Sequence, residues 1–208
     1  MDRGEKVSAA IPTTDESFGV AEAGVFRTVQ GEGSLLGVPM VFVRLSGCSI
    51  GCSNCDTNYK PFKNQSKSSL IQEVCSHLPG IDWIWITGGE PVDQDIRSLV
   101  LAMQLLGKVA VATSGITEMP IRPDFLSVSP HFSPLKLKQI TGDQVNLVPE
   151  LGGLDLNEWK RFDFSGFKHR YVTPLFGSKK SMDLCMDFID FNKEFKLGVQ
   201  AHKQWNIR

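Results

Sequence analysis

The chain has 208 residues, 41% of them hydrophobic and 22% charged, with a formal net charge of −1. That length supports one substantial core, and so even a charge balance gives no electrostatic case for nucleic acid or an anionic membrane as partner. No apolar stretch reaches the ~18 residues of a membrane-spanning helix, and the polar start MDRGEKVSAAIPTTDES lacks the apolar run of a signal peptide.

In chain order, residues 1–20 read as a flexible leader and 21–208 as a single domain. "VPMVFVRLSG" (38–47) is a strand ending at a glycine. "SSLIQEVCSHL" (68–78) has helical spacing, with Leu70, Ile71, Val74, Cys75 and Leu78 on one face. "IDWIWITGGEP" (81–91) is a strand entering a Gly-rich turn, and 95–107 a helix stopped by Gly107. Further strands are expected at 108–115, 125–130, 143–149 and 167–175. A helix is expected at 181–195, then an extended segment at 196–205. This alternation predicts an α/β fold with a parallel sheet. At this length a shortened, partly open (β/α) barrel fits better than a complete one. The motifs GCS, TGGEP, TSG, SVSP and TPLFG all end predicted strands, where parallel α/β folds build their sites.

Five cysteines, an odd number with three of them clustered, do not read as a secreted disulfide framework. A reducing cytoplasm is the expected setting. Cys48, Cys52 and Cys55 form C-x3-C-x2-C inside GCSIGCSNCD. Grouped thiolates bind soft or borderline metals. Structural zinc would need a fourth ligand at paired spacing. Cys75 and Cys185 sit in apolar helical patterns and read as core; His77, His131, His169 and His202 are scattered. A 4Fe–4S cluster on three thiolates instead leaves one iron open to a substrate or cofactor, and Gly47 and Gly51 let the loop wrap closely.

C-x3-C-x2-C followed by TGGEP resembles the radical S-adenosylmethionine superfamily. The opening FRTVQGEGSLLGVPMVFVRLSGCSIGCSNCDT, with SVSP and the terminal VQAHKQWNIR, resembles the 7-carboxy-7-deazaguanine synthase family within it. The resemblance runs from about residue 26 to 208, with gaps. It implies a barrel of the radical type and a lyase acting on 6-carboxy-tetrahydropterin through a 5′-deoxyadenosyl radical. It also implies Mg²⁺, an electron donor such as flavodoxin or ferredoxin, and a homodimer.

By the same resemblance, Thr57 is a magnesium ligand. Asn54, Cys55, Asp56, Gly88, Gly89, Glu90, Thr113, Ser114, Ser129, Pro130, His131, Thr173, Pro174, Leu175 and Phe176 line the S-adenosylmethionine site. Val29, Gln30, Gly31, Glu32, Arg44, Thr87, His202 and the terminal Arg208 meet the pterin. Arg44, inside an apolar strand, needs a partner when buried, and the pterin carboxylate would be one through a bidentate pair. Read as local structure alone, Asp56 and Thr57 are a turn or cap pair, and Arg44 pairs with Glu32 or another acid. The chain departs from the family pattern in carrying His131 for Lys, Ala112 for Glu and Thr173 for Gln. Competing classes are another radical enzyme, such as a glycyl-radical activase, and a zinc-binding structural module.

Overall fold

The structure is a computed structural model whose described residues are 15–55 and 57–207. Its centre is a nine-stranded sheet: β1 (Ser17–Val29), β2 (Pro39–Leu45), β3 (Pro61–Ser66), β4 (Trp83–Gly88), β5 (Lys108–Thr113), β6 (Phe125–Val128), β7 (Gly142–Leu147), β8 (Phe167–Val172) and β9 (Lys196–Leu197). The spatial order is β3-β1-β2-β4-β5-β6-β7-β8-β9, so β3 and β9 are free edges and the sheet does not close. From β2 onward the pairing is parallel. Among the described residues five α-helices are formed: α1 (Lys67–His77), α2 (Arg97–Gln104), α3 (Leu156–Trp159), α4 (Lys179–Phe191) and α5 (Ala201–Gln204).

Strand alternation sorts the residues onto two faces. Val41, Val43, Leu45, Ile84, Ile86, Val109, Val111, Leu126, Val128, Val145 and Leu147 join the main core with the inward residues of the helices. The alternate residues Met40, Phe42, Trp85, Ala110 and Phe125, with Phe26 of β1, form a second, smaller apolar cluster. Toward the carboxyl ends of the strands this second face turns polar: Arg44 pairs in register with Thr87, and Ser127 with Gln144. The change from aromatic to polar along one face is what builds a site there.

Four expectations need correction. The sheet is mixed, because β1 runs antiparallel to both β2 and β3. Residues 17–20, read above as part of the leader, belong to β1 and pair with β3. β1 has no clean two-residue period because its register shifts between Val20 and Val25, where Gly24 turns with φ 60°. β3 is an edge strand that ends in the polar run KNQS and is held by its pairing with β1. Cys75 is exposed, while Cys185 is buried as expected; the inward stripe of α1 is Leu70 and Val74. Finally, 196–205 is not one extended run: β9 covers two residues and α5 follows.

Candidate functional site

A cleft of about 740 Å³ opens over the carboxyl ends of the strands and takes residues from the loops after β2, β4, β5, β6, β7 and β8. The loop after β2 carries the three thiols. It turns sharply through Gly47 (φ 82°), Gly51 (φ 62°) and Asn54 (φ 62°), left-handed conformations that glycine and asparagine adopt at low cost. Cys48 and Cys52 are half-buried and Cys55 is exposed, and all three line the cleft. Burial pushes the Cys52 thiol up to about 11, and the neighbouring Cys48 and Cys55 add to the rise. Thiolates carried on one loop repel one another unless a positive centre is bound among them. Among the described residues no three His, Cys, Asp or Glu side chains are grouped to hold a single metal ion. A polynuclear cluster makes no such demand, because each thiolate ligates a different iron. The donor set therefore fits an iron–sulfur cluster.

The turn after β4 is pressed against the root of this loop. Gly89 N–H donates to the Leu45 carbonyl (3.0 Å) and Glu90 N–H to the Gly47 carbonyl (2.9 Å). A Cβ on Gly88 would overlap the backbone of Leu45, and one on Gly89 the Gly47 carbonyl. A second tie comes from Asp93, whose carboxylate accepts from Ser49 N–H (2.6 Å) and Ser49 Oγ (2.8 Å). Glu90 is only 2% exposed. It accepts from Thr113 Oγ1 (2.7 Å) and Ser114 N–H (2.8 Å), joining the turns after β4 and β5. Burial raises its carboxyl above the usual range.

Across the cleft, Val29 ends β1 and Gln30, Gly31 and Glu32 follow it; Arg44 is the next-to-last residue of β2, and Thr87 lies beside it on β4. Gln30 is buried; its Oε1 accepts from Glu32 N–H (3.1 Å), while its Nε2 is a buried donor without a partner. Arg44 Nη1 donates to Thr57 Oγ1 (3.1 Å), and the guanidinium lies 5.7 Å from the Phe26 ring centroid. His131 Nδ1 is also buried and unpartnered, and burial lowers its imidazole to about 4. The turn at Gly152 brings His131 near the thiols: a methyl placed there would lie 2.8 Å from His131 Cβ and 3.0 Å from Cys52 Sγ.

The cleft thus gathers Asn54, Thr113, Ser114, Ser129, Leu175, Phe176 and His202 with the residues already named. Three predicted residues are not on its wall. Pro130 and Pro174 are absent from the lining. Thr173 is fully buried beneath it, its hydroxyl donating to Asn146 Oδ1 (2.6 Å). Asp56 and Arg208 lie outside the described residues. Sequence reasoning missed Ser127, Gln144, Asn146 and Gln200, all buried polar residues at the cleft. A signal was present: in GDQVNL, Gln144 and Asn146 alternate with the core residues Val145 and Leu147. Amides placed inside a central strand demand a polar face.

No family model matches the chain. A 7-carboxy-7-deazaguanine synthase of Bacteroides thetaiotaomicron is 31% identical over 185 residues, spanning 88% of this chain and 96% of that protein. One from Synechocystis sp. is 28% identical over 198 residues, 92% of this chain and 89% of that protein. One from Pyrobaculum aerophilum is 38% identical over 119 residues, about half of each chain (52% and 54%). Among solved structures, QueE from Escherichia coli superposes with a TM-score of 0.71 at 20% identity, covering 89% of this chain and 95% of that one. The superposition supports the open α/β architecture.

Proposed function

Because the chain belongs to the 7-carboxy-7-deazaguanine synthase family, we propose that it converts 6-carboxy-tetrahydropterin to 7-carboxy-7-deazaguanine, contracting the ring and losing ammonia. The observation that carries this reading is the meeting, in one cleft, of three thiols, a glycine turn locked to their loop, and Arg44 among buried amide and carboxylate groups.

An iron–sulfur cluster and S-adenosylmethionine are expected of such a lyase, and when bound they supply a carbon-centred radical. Cys48, Cys52 and Cys55 would hold the cluster, the three-ligand count leaving one iron open. The Gly88–Glu90 turn, whose backbone can approach closely, would receive the methionine end of the cofactor, with Thr113, Ser114, Ser129 and His131 beside it. Leu175 and Phe176 would cover its adenine. A radical attacks almost any neighbouring C–H bond, so the chain's main task is to fix the substrate and exclude water. Arg44 suits the pterin carboxylate: a guanidinium at a strand end, backed by Phe26, offers a planar fork. The orphaned Gln30 Nε2 offers a donor to a ring carbonyl or ring nitrogen. Thr57 would give Mg²⁺ one oxygen, since this cation prefers oxygen ligands and keeps several waters. Thr57 Oγ1 also accepts from Arg44 Nη1, so a magnesium held by Thr57 would lie near the group that would bind the carboxylate.

We extend the proposal to a homodimer, reduced in the cytoplasm by a flavodoxin- or ferredoxin-type donor, with no nucleic-acid partner. No helix among the described residues is long and apolar enough to cross a membrane. The test is anaerobic incubation of reconstituted protein with S-adenosylmethionine, reductant, Mg²⁺ and the carboxy-tetrahydropterin. Mass spectrometry should find the deazaguanine acid; cofactor cleavage with the pterin unchanged would refute the assignment.

A further inference from the structure

We propose that Asn146 is a positioning residue that holds the Glu32 carboxylate as the acceptor for the N–H-donating edge of the pterin ring; the ligand half of this rests on the function proposed above. Asn146 is 4% exposed. Its Nδ2 donates to Glu32 Oε2 (2.9 Å), its Oδ1 accepts from Thr173 Oγ1 (2.6 Å), and its carbonyl accepts from Ser129 Oγ (3.0 Å). On the other side Gln200 Nε2 donates to Glu32 Oε1 (3.1 Å), while Gln200 Oε1 accepts from Phe176 N–H (2.8 Å). Both amide orientations follow from chemistry. An ionised carboxylate only accepts, so Asn146 must present its NH₂ to Glu32; a backbone N–H only donates, so Gln200 must present its oxygen to Phe176.

The loop around Glu32 is pinned by the same strand. Gln144, two residues before Asn146 on the cleft side of β7, accepts from Ser34 N–H (2.7 Å) and Ser34 Oγ (3.0 Å) and donates to Ser127 Oγ (3.2 Å). A Cβ on Gly33 would overlap Gln144, and one on Gly31 would overlap His202. Two amides on one strand thus fix where a carboxylate on a distant loop presents its oxygens. The pyrimidine edge of a pterin carries N–H donors, the complement of such an acceptor.

Replacing Asn146 by Asp gives a distinctive test. Oδ1 can still accept from Thr173, but the donor to Glu32 becomes a carboxyl that donates only when protonated. Two carboxylates in hydrogen-bond contact share one proton, and their coupled titration moves well above the ordinary carboxylate range. Among the described residues, the charged and titratable groups lining the cleft with this corner are Glu22 of β1, Arg44 of β2, Tyr59 and the three thiols after β2, Glu90 after β4, His131 after β6, and His202 and Lys203 of α5. His202 Nδ1 is 3.9 Å from Glu32 Oε1. All are present in the unsubstituted protein too, so the ratio of variant to wild type isolates the new pair.

Pterin affinity is read in cluster-reconstituted protein from the change in tryptophan emission on binding, Trp85 being the tryptophan that lines the cleft. Asn146→Asp should bind within about 3-fold of wild type near pH 5.5 and at least about 10-fold more weakly near pH 8.5. Its thermal midpoint should fall below wild type only on the alkaline side. The double variant Glu32→Gln/Asn146→Asp, with one carboxylate in the pair, should lose the alkaline limb in thermal midpoint. A variant-to-wild-type ratio that is flat with pH, with pterin binding intact, overturns the role of Asn146. Wild type that binds no pterin at either pH overturns the ligand assignment and the proposed function together.

Discussion

At the scale of single residues, Arg44 is the clearest departure from a plain core strand. Its neighbours Val43 and Leu45 are fully buried in the main core, and its guanidinium points the other way, to Thr57 and the Phe26 ring. Truncating one partner of a desolvated charge pair costs about 2–5 kcal/mol. Arg44→Ala should therefore raise the pterin KM by roughly 100-fold or more, while reductive cleavage of S-adenosylmethionine continues, measured as 5′-deoxyadenosine by chromatography. Gly89→Ala should fail at an earlier stage. Its methyl meets the Gly47 carbonyl, so either the cysteine loop or the turn must shift, and iron bound per folded chain should drop. A third residue acts far from chemistry. Asp143 is held below the ordinary aspartate value: burial alone would raise it, but Leu126 N–H (2.9 Å) and the Lys168 ammonium (3.0 Å) outweigh that. A carboxyl depressed in the fold contributes stability above its unfolded value near 3.8 and loses it as pH falls through its folded value. Asp143→Asn should lower the thermal midpoint at neutral pH, with the gap to wild type narrowing below about pH 4.

At the scale of elements, what the sequence made legible followed period and punctuation. β2, β4 and β5 are short, nearly continuous apolar runs bounded by turn residues, and α2 ends shortly before Gly107, so each was readable from its own residues. The loops after them carried unmistakable glycine and cysteine patterns. β1 and β3 were not readable, because a register shift hides one and the other is an edge strand ending in a polar run. The cleft-facing amides of β7 escaped notice for a related reason: their role is set by partners distant in sequence, Ser34 and Glu32, which no local pattern links to them. Beyond β7, α3 is too short to register as a period, yet its Trp159 is fully buried against Phe162 and Phe164, with its Nε1–H donated to the Phe132 carbonyl (3.2 Å). That cluster continues through Phe195 to Phe188 and fastens α4 to the sheet. Trp159→Ala should cost about 3–5 kcal/mol in denaturant titration, without changing the number of irons bound by the folded fraction.

At the scale of the whole molecule, the division between two sheet faces organises everything else. One face is closed by helices and aliphatic packing; the other runs from aromatic residues to a polar cleft. An open sheet leaves room over the strand ends for a large cofactor and a flat substrate together, and the mixed edge formed by β1 brings the Gln30–Glu32 loop across to β7 and α5. The central claim is that Cys48, Cys52 and Cys55 hold a cluster with one iron left for the cofactor. Its most direct measurement is electron paramagnetic resonance of the reduced, anaerobically reconstituted protein, with iron quantified, before and after S-adenosylmethionine is added. About four irons per chain and a signal that changes on adding the cofactor are the predicted result. A protein that takes up zinc alone, or a cluster whose signal is indifferent to the cofactor, would contradict it.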